Sequence, residues 1–137
     1  MAPMTLDAAH PFAGPSPLPF HLPDFAAIRP EHYRAAFDAG MAEGLRELDA
    51  LAADPAPPTA ENVLDAWERS GKVLDRAVEA FYVVKWAESS DDLDAIEADY
   101  APQLAAHSDA IFMNPALYDR LRALDARAKA GEVELDA

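Results

Sequence analysis

Prolines divide this chain before any other residue type is considered. Twelve occur in 137 residues, and seven of them, Pro3, Pro11, Pro15, Pro17, Pro19, Pro23 and Pro30, crowd the first thirty. Each fixes its own φ and pushes the residue before it toward extended geometry, so helix is excluded there. Yet Phe12, Leu18, Phe20, Leu22, Phe25 and Ile28 are spread through the same stretch, and a free linker has no use for them. Residues 1–29 therefore read as an extended, proline-rich strap whose apolar side chains press on a helical body. For residues 1–16 a frayed terminus is the alternative.

Beyond Pro30 the spacing becomes helical. Pro30 suits a first helical position, and Glu31 favours the positive helix end. Tyr33, Phe37, Met41, Leu45, Leu48 and Leu51 recur at three- and four-residue intervals, which predicts a helix over about 30–53. The run Asp54-Pro55-Ala56-Pro57-Pro58 breaks it. Thr59 is a natural N-cap for a second helix reaching about Ala87. Its stripe is Val63, Leu64, Trp67, Leu74, Val78, Phe81 and Tyr82, and Asp65–Arg69 and Glu68–Lys72 are acid-first pairs for a solvated flank. Ser89-Ser90-Asp91-Asp92 caps a third helix carrying Leu93, Ile96, Tyr100, Leu104, His107 and Ile111. Pro102 predicts a kink or break near 98–100. Asn114-Pro115 opens a last helix with Leu117, Tyr118, Leu121 and Leu124 inward, and Gly131 stops it. No alternating strand pattern or hairpin turn occurs. The expected fold is all-α: an antiparallel bundle of about four helices over residues 30–137, with the strap laid against it.

Composition removes several function classes. Eleven basic and twenty-five acidic residues leave a net charge of −14, which repels phosphate backbones and anionic lipid, so neither nucleic acid nor membrane is an expected partner. There is no cysteine, hence no disulfide framework and no thiolate metal site. Met1–His10 contains no basic residue and no apolar run, and no stretch approaches the ~20 apolar residues that span a bilayer. The expectation is a soluble, cytoplasmic protein.

No catalytic constellation emerges. Zinc sites commonly use two histidines one helical turn apart, and no two of His10, His21, His32 and His107 are so spaced. No glutamate has a histidine three residues later, as di-iron bundles require. Asp91, Asp92, Asp94, Glu97 and Asp99 lack the glycine and alternating positions of a calcium loop, and read as a helix start with a solvated face. Asp65, Asp75 and Glu79 read as solvated surface. Ser16, Ser70, Ser89, Ser90 and Ser108 have no nucleophile-elbow context, and adjacent His107-Ser108-Asp109 point in different directions on a helix. No residue is therefore assigned a catalytic, cofactor-binding or metal role. Gly40 and Gly44, one turn apart, suggest a close helix approach. Trp67, Tyr82 and Trp86 read as core or contact anchors. Four apolar stripes plus the strap exceed what this length buries alone, and an unburied apolar face implies a partner.

Four stretches carry a resemblance: Leu22–Tyr33 (LPDFAAIRPEHY), Pro57–Asn62 (PPTAEN), Glu68–Arg76 (ERSGKVLDR) and Ala101–Tyr118 (APQLAAHSDAIFMNPALY). In order and spacing they resemble the N-terminal region of the thimet oligopeptidase family of zinc metallopeptidases, whose bacterial members include oligopeptidase A and dipeptidyl carboxypeptidase. The resemblance implies a helical wall of a channel that admits short peptides. It also implies a zinc centre built elsewhere, on a His-Glu-x-x-His helix and a downstream glutamate. That motif is absent here, so zinc is implied for the complete family member and no cofactor for this chain. Alone, the chain is expected to be inactive. Its expected partner is the remainder of a peptidase, or another protein, through an exposed apolar face. A stand-alone helical interaction module without catalysis is the alternative reading, and a subunit completing a peptidase of another chain is a third.

Overall fold

Helix α1 (Pro30–Ala53) is the element against which the others pack. The computed structural model describes residues 4–135; Pro3 of the strap and the last two residues of the helical region lie outside the described residues. After α1 come a π-helical turn π1 (Ala60–Asp65) running into the short α2 (Ala66–Arg69), then α3 (Lys72–Ala87), α4 (Asp91–Phe112) and α5 (Pro115–Lys129). Among the described residues there is no strand, and the fold is an all-α bundle. No helix among them is long and apolar enough to cross a membrane.

The caps explain the boundaries. Thr59 Oγ1 accepts the Asn62 N–H at 3.2 Å while Asn62 Oδ1 accepts the Thr59 N–H at 2.8 Å, a reciprocal cap that satisfies two otherwise orphaned donors. Ser90 and Asn114 accept backbone N–H groups in the first turns of α4 and α5. At α1 the side chain that reaches back is an imidazole: His32 Nδ1 accepts the Arg29 N–H at 3.0 Å.

Two expectations are corrected. The second helix does not run unbroken to Ala87. Ser70 is extended (φ −74°, ψ 157°) and Gly71 is left-handed (φ 69°, ψ 16°), a conformation costly for any residue with a Cβ. Glu47 Oε2 of α1 accepts the Gly71 N–H at 2.7 Å and fixes the break. The break parts Glu68 from Lys72, which meets Asp75 at 3.6 Å instead, and the Asp65–Arg69 pair is not formed either. Conversely, Pro102 does not interrupt α4, which is continuous from Asp91 to Phe112. Pro102 is exposed, so its ring lies on the solvent side and only one backbone bond is lost.

The core has two parts. Toward the strap, Tyr33, Phe37, Phe81 and Tyr100 stack with ring centroids 5.2–5.5 Å apart for Tyr33–Phe81, Phe37–Phe81 and Phe37–Tyr100, joined by Leu93 and Ile96. Phe12 closes this cluster from the strap at 2% exposure, its carbonyl accepting from Arg76 at 3.0 Å. Toward the other end, Leu48, Leu51 and Leu117 form a second buried cluster, with Ala52, Ala66, Trp67 and Ile111 packed against it. The strap is a series of turns rather than a uniform extended segment. Phe12 buries, and Leu6 and Ile28 pack on the core. Leu18, Phe20, Leu22 and Phe25 stay exposed, Phe20 at 96%.

Helices α1 and α3 approach closely at Gly40. A Cβ there would lie 2.8 Å from the Leu74 backbone nitrogen, a distance that real side chains do not tolerate. The Gly40–Gly44 pair thus does permit close approach, and the requirement rests on Gly40.

Candidate functional site

The open end of the bundle carries an apolar groove of about 510 Å³ between π1–α2 and the junction of α4 with α5. Leu64, Trp67, Ile111, Phe112, Tyr118 and Leu121 form its walls, with Leu117 as its floor. Local structure positions each. The π turn lets Val63 enter the core completely while Leu64 is left at the groove edge, 39% exposed. The turn at Met113 and the Asn114 cap re-aim the chain between α4 and α5, leaving Phe112 and Met113 each 78% exposed. Tyr118, expected inward, is 63% exposed, whereas Leu117 beside it is buried as expected.

Two arginines of α5 brace one wall. Arg120, buried, donates to the Ala56 carbonyl at 2.6 Å and lies 3.3 Å from Asp54; Arg127 donates to the Pro58 carbonyl at 2.7 Å. The prolines of the 54–58 loop have no N–H to donate, so that loop is held through its carbonyls. Sequence reasoning missed both arginines and Phe112: a side chain bonding a loop more than sixty residues away leaves no periodic signal.

The candidate site residues do not converge on one centre. His10 and His32 meet edge to face, 5.1 Å between centroids. His21 is exposed, its Nδ1 2.9 Å from the Ser16 carbonyl. His107 lies half-buried beside Gly44, and burial lowers its pKa. Ser108 and Asp109 are exposed beside it. The acids of α4 reach outward: Asp94 and Glu97 pair with Lys85 of α3 at 2.7 and 3.2 Å, and Asp99 pairs with Arg34 of α1 at 2.6 Å. Hydrogen bonds from Lys85 and then Ser89 hold the Asp94 carboxyl below its ordinary range. Among the described residues no three His, Asp or Glu side chains gather where they could hold a metal ion, so this donor set does not fit a zinc centre. Trp67 lines the groove, Tyr82 stacks between Phe81 and Trp86, and Trp86 is 82% exposed on α3 with Val83 one turn before it.

The concavity is open and mostly apolar, with few polar groups in its lining. No family model matches the chain. Two curated proteins are similar to it: the dipeptidyl carboxypeptidase of Salmonella typhimurium, 35% identical over 117 residues, and the dipeptidyl carboxypeptidase of Escherichia coli, 34% identical over 115. The matches cover 85% and 84% of this chain and 17% of each relative, so the chain spans about a sixth of the length of these proteins.

Proposed function

We propose, for a chain that is a region of a thimet oligopeptidase-like peptidase over 85% of its length, that it forms a helical channel-wall portion of a zinc metallo-oligopeptidase. In this reading the complete assembly hydrolyses short peptides in the manner of a peptidyl-dipeptidase, in the cytoplasm, and its zinc centre is supplied by polypeptide outside these 137 residues. What this chain contributes is positioning: a wall that docks to the catalytic part through the groove of Trp67, Ile111, Phe112 and Tyr118 and excludes water along that seam. The observation that supports it most is the pairing of a relation to peptidases of much greater length with an apolar concavity left open on the bundle. Burying such a face favours assembly by roughly 25 cal/mol per Å² before ordering costs.

The test is complementation. The part of a related dipeptidyl carboxypeptidase lacking the matching region is produced separately and mixed with this chain. Release of dipeptides from a short peptide, dependent on both components and lost with Phe112→Asp plus Tyr118→Asp, is the expected result. A soluble catalytic part that is fully active without this chain, or that gains nothing from it, contradicts the reading.

A further inference from the structure

Two imidazole nitrogens act as acceptors along the strap, one beside Phe12 and one where the strap enters α1. His10 Nδ1 takes the Phe12 N–H at 3.2 Å, and His32 Nδ1 takes the Arg29 N–H at 3.0 Å. A ring nitrogen accepts only when it carries no proton, so this geometry requires both rings neutral, each with its hydrogen on Nε2. The first bond orients the residue whose side chain plugs the aromatic core. The second closes the cap where the strap enters α1. The rings are in contact with each other, so the two fastenings share one neighbourhood.

Protonation undoes the arrangement in three ways at once. A protonated Nδ1 becomes a donor facing another donor. Two imidazolium rings at this separation repel, and the one on His32 stands at the positive end of α1. Arg76 of α3 already places positive charge beside Phe12 through its bond to that carbonyl. The opposing charges are Asp7 and Asp24 of the strap, Glu31 beside His32, and Glu79 of α3, which with Arg76 lines the small cavity behind Phe12. Burial, followed by the His32 charge, depresses the His10 pKa against the pull of Asp7.

We propose that the strap is a pH-operated latch: closed while His10 and His32 are neutral, it releases Phe12 from the aromatic core in mild acid and leaves the helical bundle folded. Hydrogen exchange on the 137-residue chain at about pH 7.5 and about pH 5.5, corrected for intrinsic rates, tests it. Strap amides from Phe12 to Arg29 lose protection by roughly tenfold or more in acid, while α3 and α5 keep theirs. In the double variant His10→Asn, His32→Gln, amide oxygens replace both acceptors at every pH, and the strap stays protected. A wild-type strap protected equally at both pH values overturns the latch. So does equal acid release in the double variant, or loss of protection throughout the bundle. Proton NMR of the wild type is independent of how the variant folds: the His10 ring signals change together with the Phe12 ring shifts, and a change at His10 without any change at Phe12 overturns the proposal.

Discussion

The two ends of this bundle are made from the same helices and end differently. At one end Tyr33, Phe37, Phe81 and Tyr100 are sealed by Phe12 of the strap. At the other, Leu48, Leu51 and Leu117 form a smaller buried cluster, and Trp67, Ile111, Phe112 and Tyr118 line an open groove beside it. The amphipathic stripes do not distinguish the ends, since α1 is apolar along its whole inner face. What differs is whether the chain supplies a cap. The strap provides one where it crosses α3, and among the described residues nothing equivalent crosses the α4–α5 junction. In the proposed reading the uncapped end is the surface offered to another polypeptide.

The strongest test of this contrast is core truncation. Phe37→Ala should cost ~3–5 kcal/mol, because the sealed end cannot collapse around the void, whereas Leu117→Ala should fall near ~2–3 kcal/mol as groove side chains relax inward. Urea denaturation of both variants measures the difference; equal losses would remove the distinction between the ends. Next in size is the glycine pair. Gly40→Ala drives a methyl against the Leu74 backbone and should cost ~1–3 kcal/mol. Gly44→Ala meets Gly71 and His107 at ordinary distances of 3.5 and 3.7 Å and should be neutral or stabilising by up to ~1 kcal/mol. Similar thermal shifts for the two would show that the helix approach is not centred on Gly40.

These effects show what sequence could reveal. Helix α1 was bounded in advance by Pro30 and the Asp54–Pro58 run, and α4 and α5 by Ser90 and Asn114, because those residues act locally. The break at Ser70–Gly71 was hidden, since Val63, Trp67, Leu74 and Val78 carry a continuous apolar stripe across it and the deciding bond comes from Glu47 on another helix. Pro102 misled for the opposite reason: a local rule met an exposed helix face that could absorb the loss. The strap's Phe12 and Phe20 read alike in sequence, yet one is buried and the other almost wholly exposed. An unburied face was foreseeable from the surplus of apolar residues, but its position was not. That position depends on the π turn and on Arg120 and Arg127 holding a distant loop.

A smaller effect comes from His107, at the boundary between the two ends. Its Nδ1 is buried without a partner, and burial lowers its pKa from 6.5. The unfolded chain then takes up a proton first as pH falls, so stability is whole above pH 6.5 and declines below it, through the lowered folded value. Melting temperatures across mild acid should fall less steeply in His107→Gln than in the wild type; parallel curves would remove His107 from the acid response. Smallest of all is Phe112→Ser, an exposed change expected to alter stability by no more than ~0.5 kcal/mol. It should nevertheless weaken association at the open end, and calorimetry against the catalytic part would register that loss.

The central claim is that the open end is where a larger peptidase closes over this chain. Benzoylphenylalanine in place of Phe112, irradiated with the separately produced catalytic part, reports that contact directly, with the same probe at exposed Glu31 of the sealed end as reference. The account predicts a specific crosslink from position 112 and little from position 31; crosslinking that is equal at both, or absent at 112 in a mixture with restored activity, would contradict it.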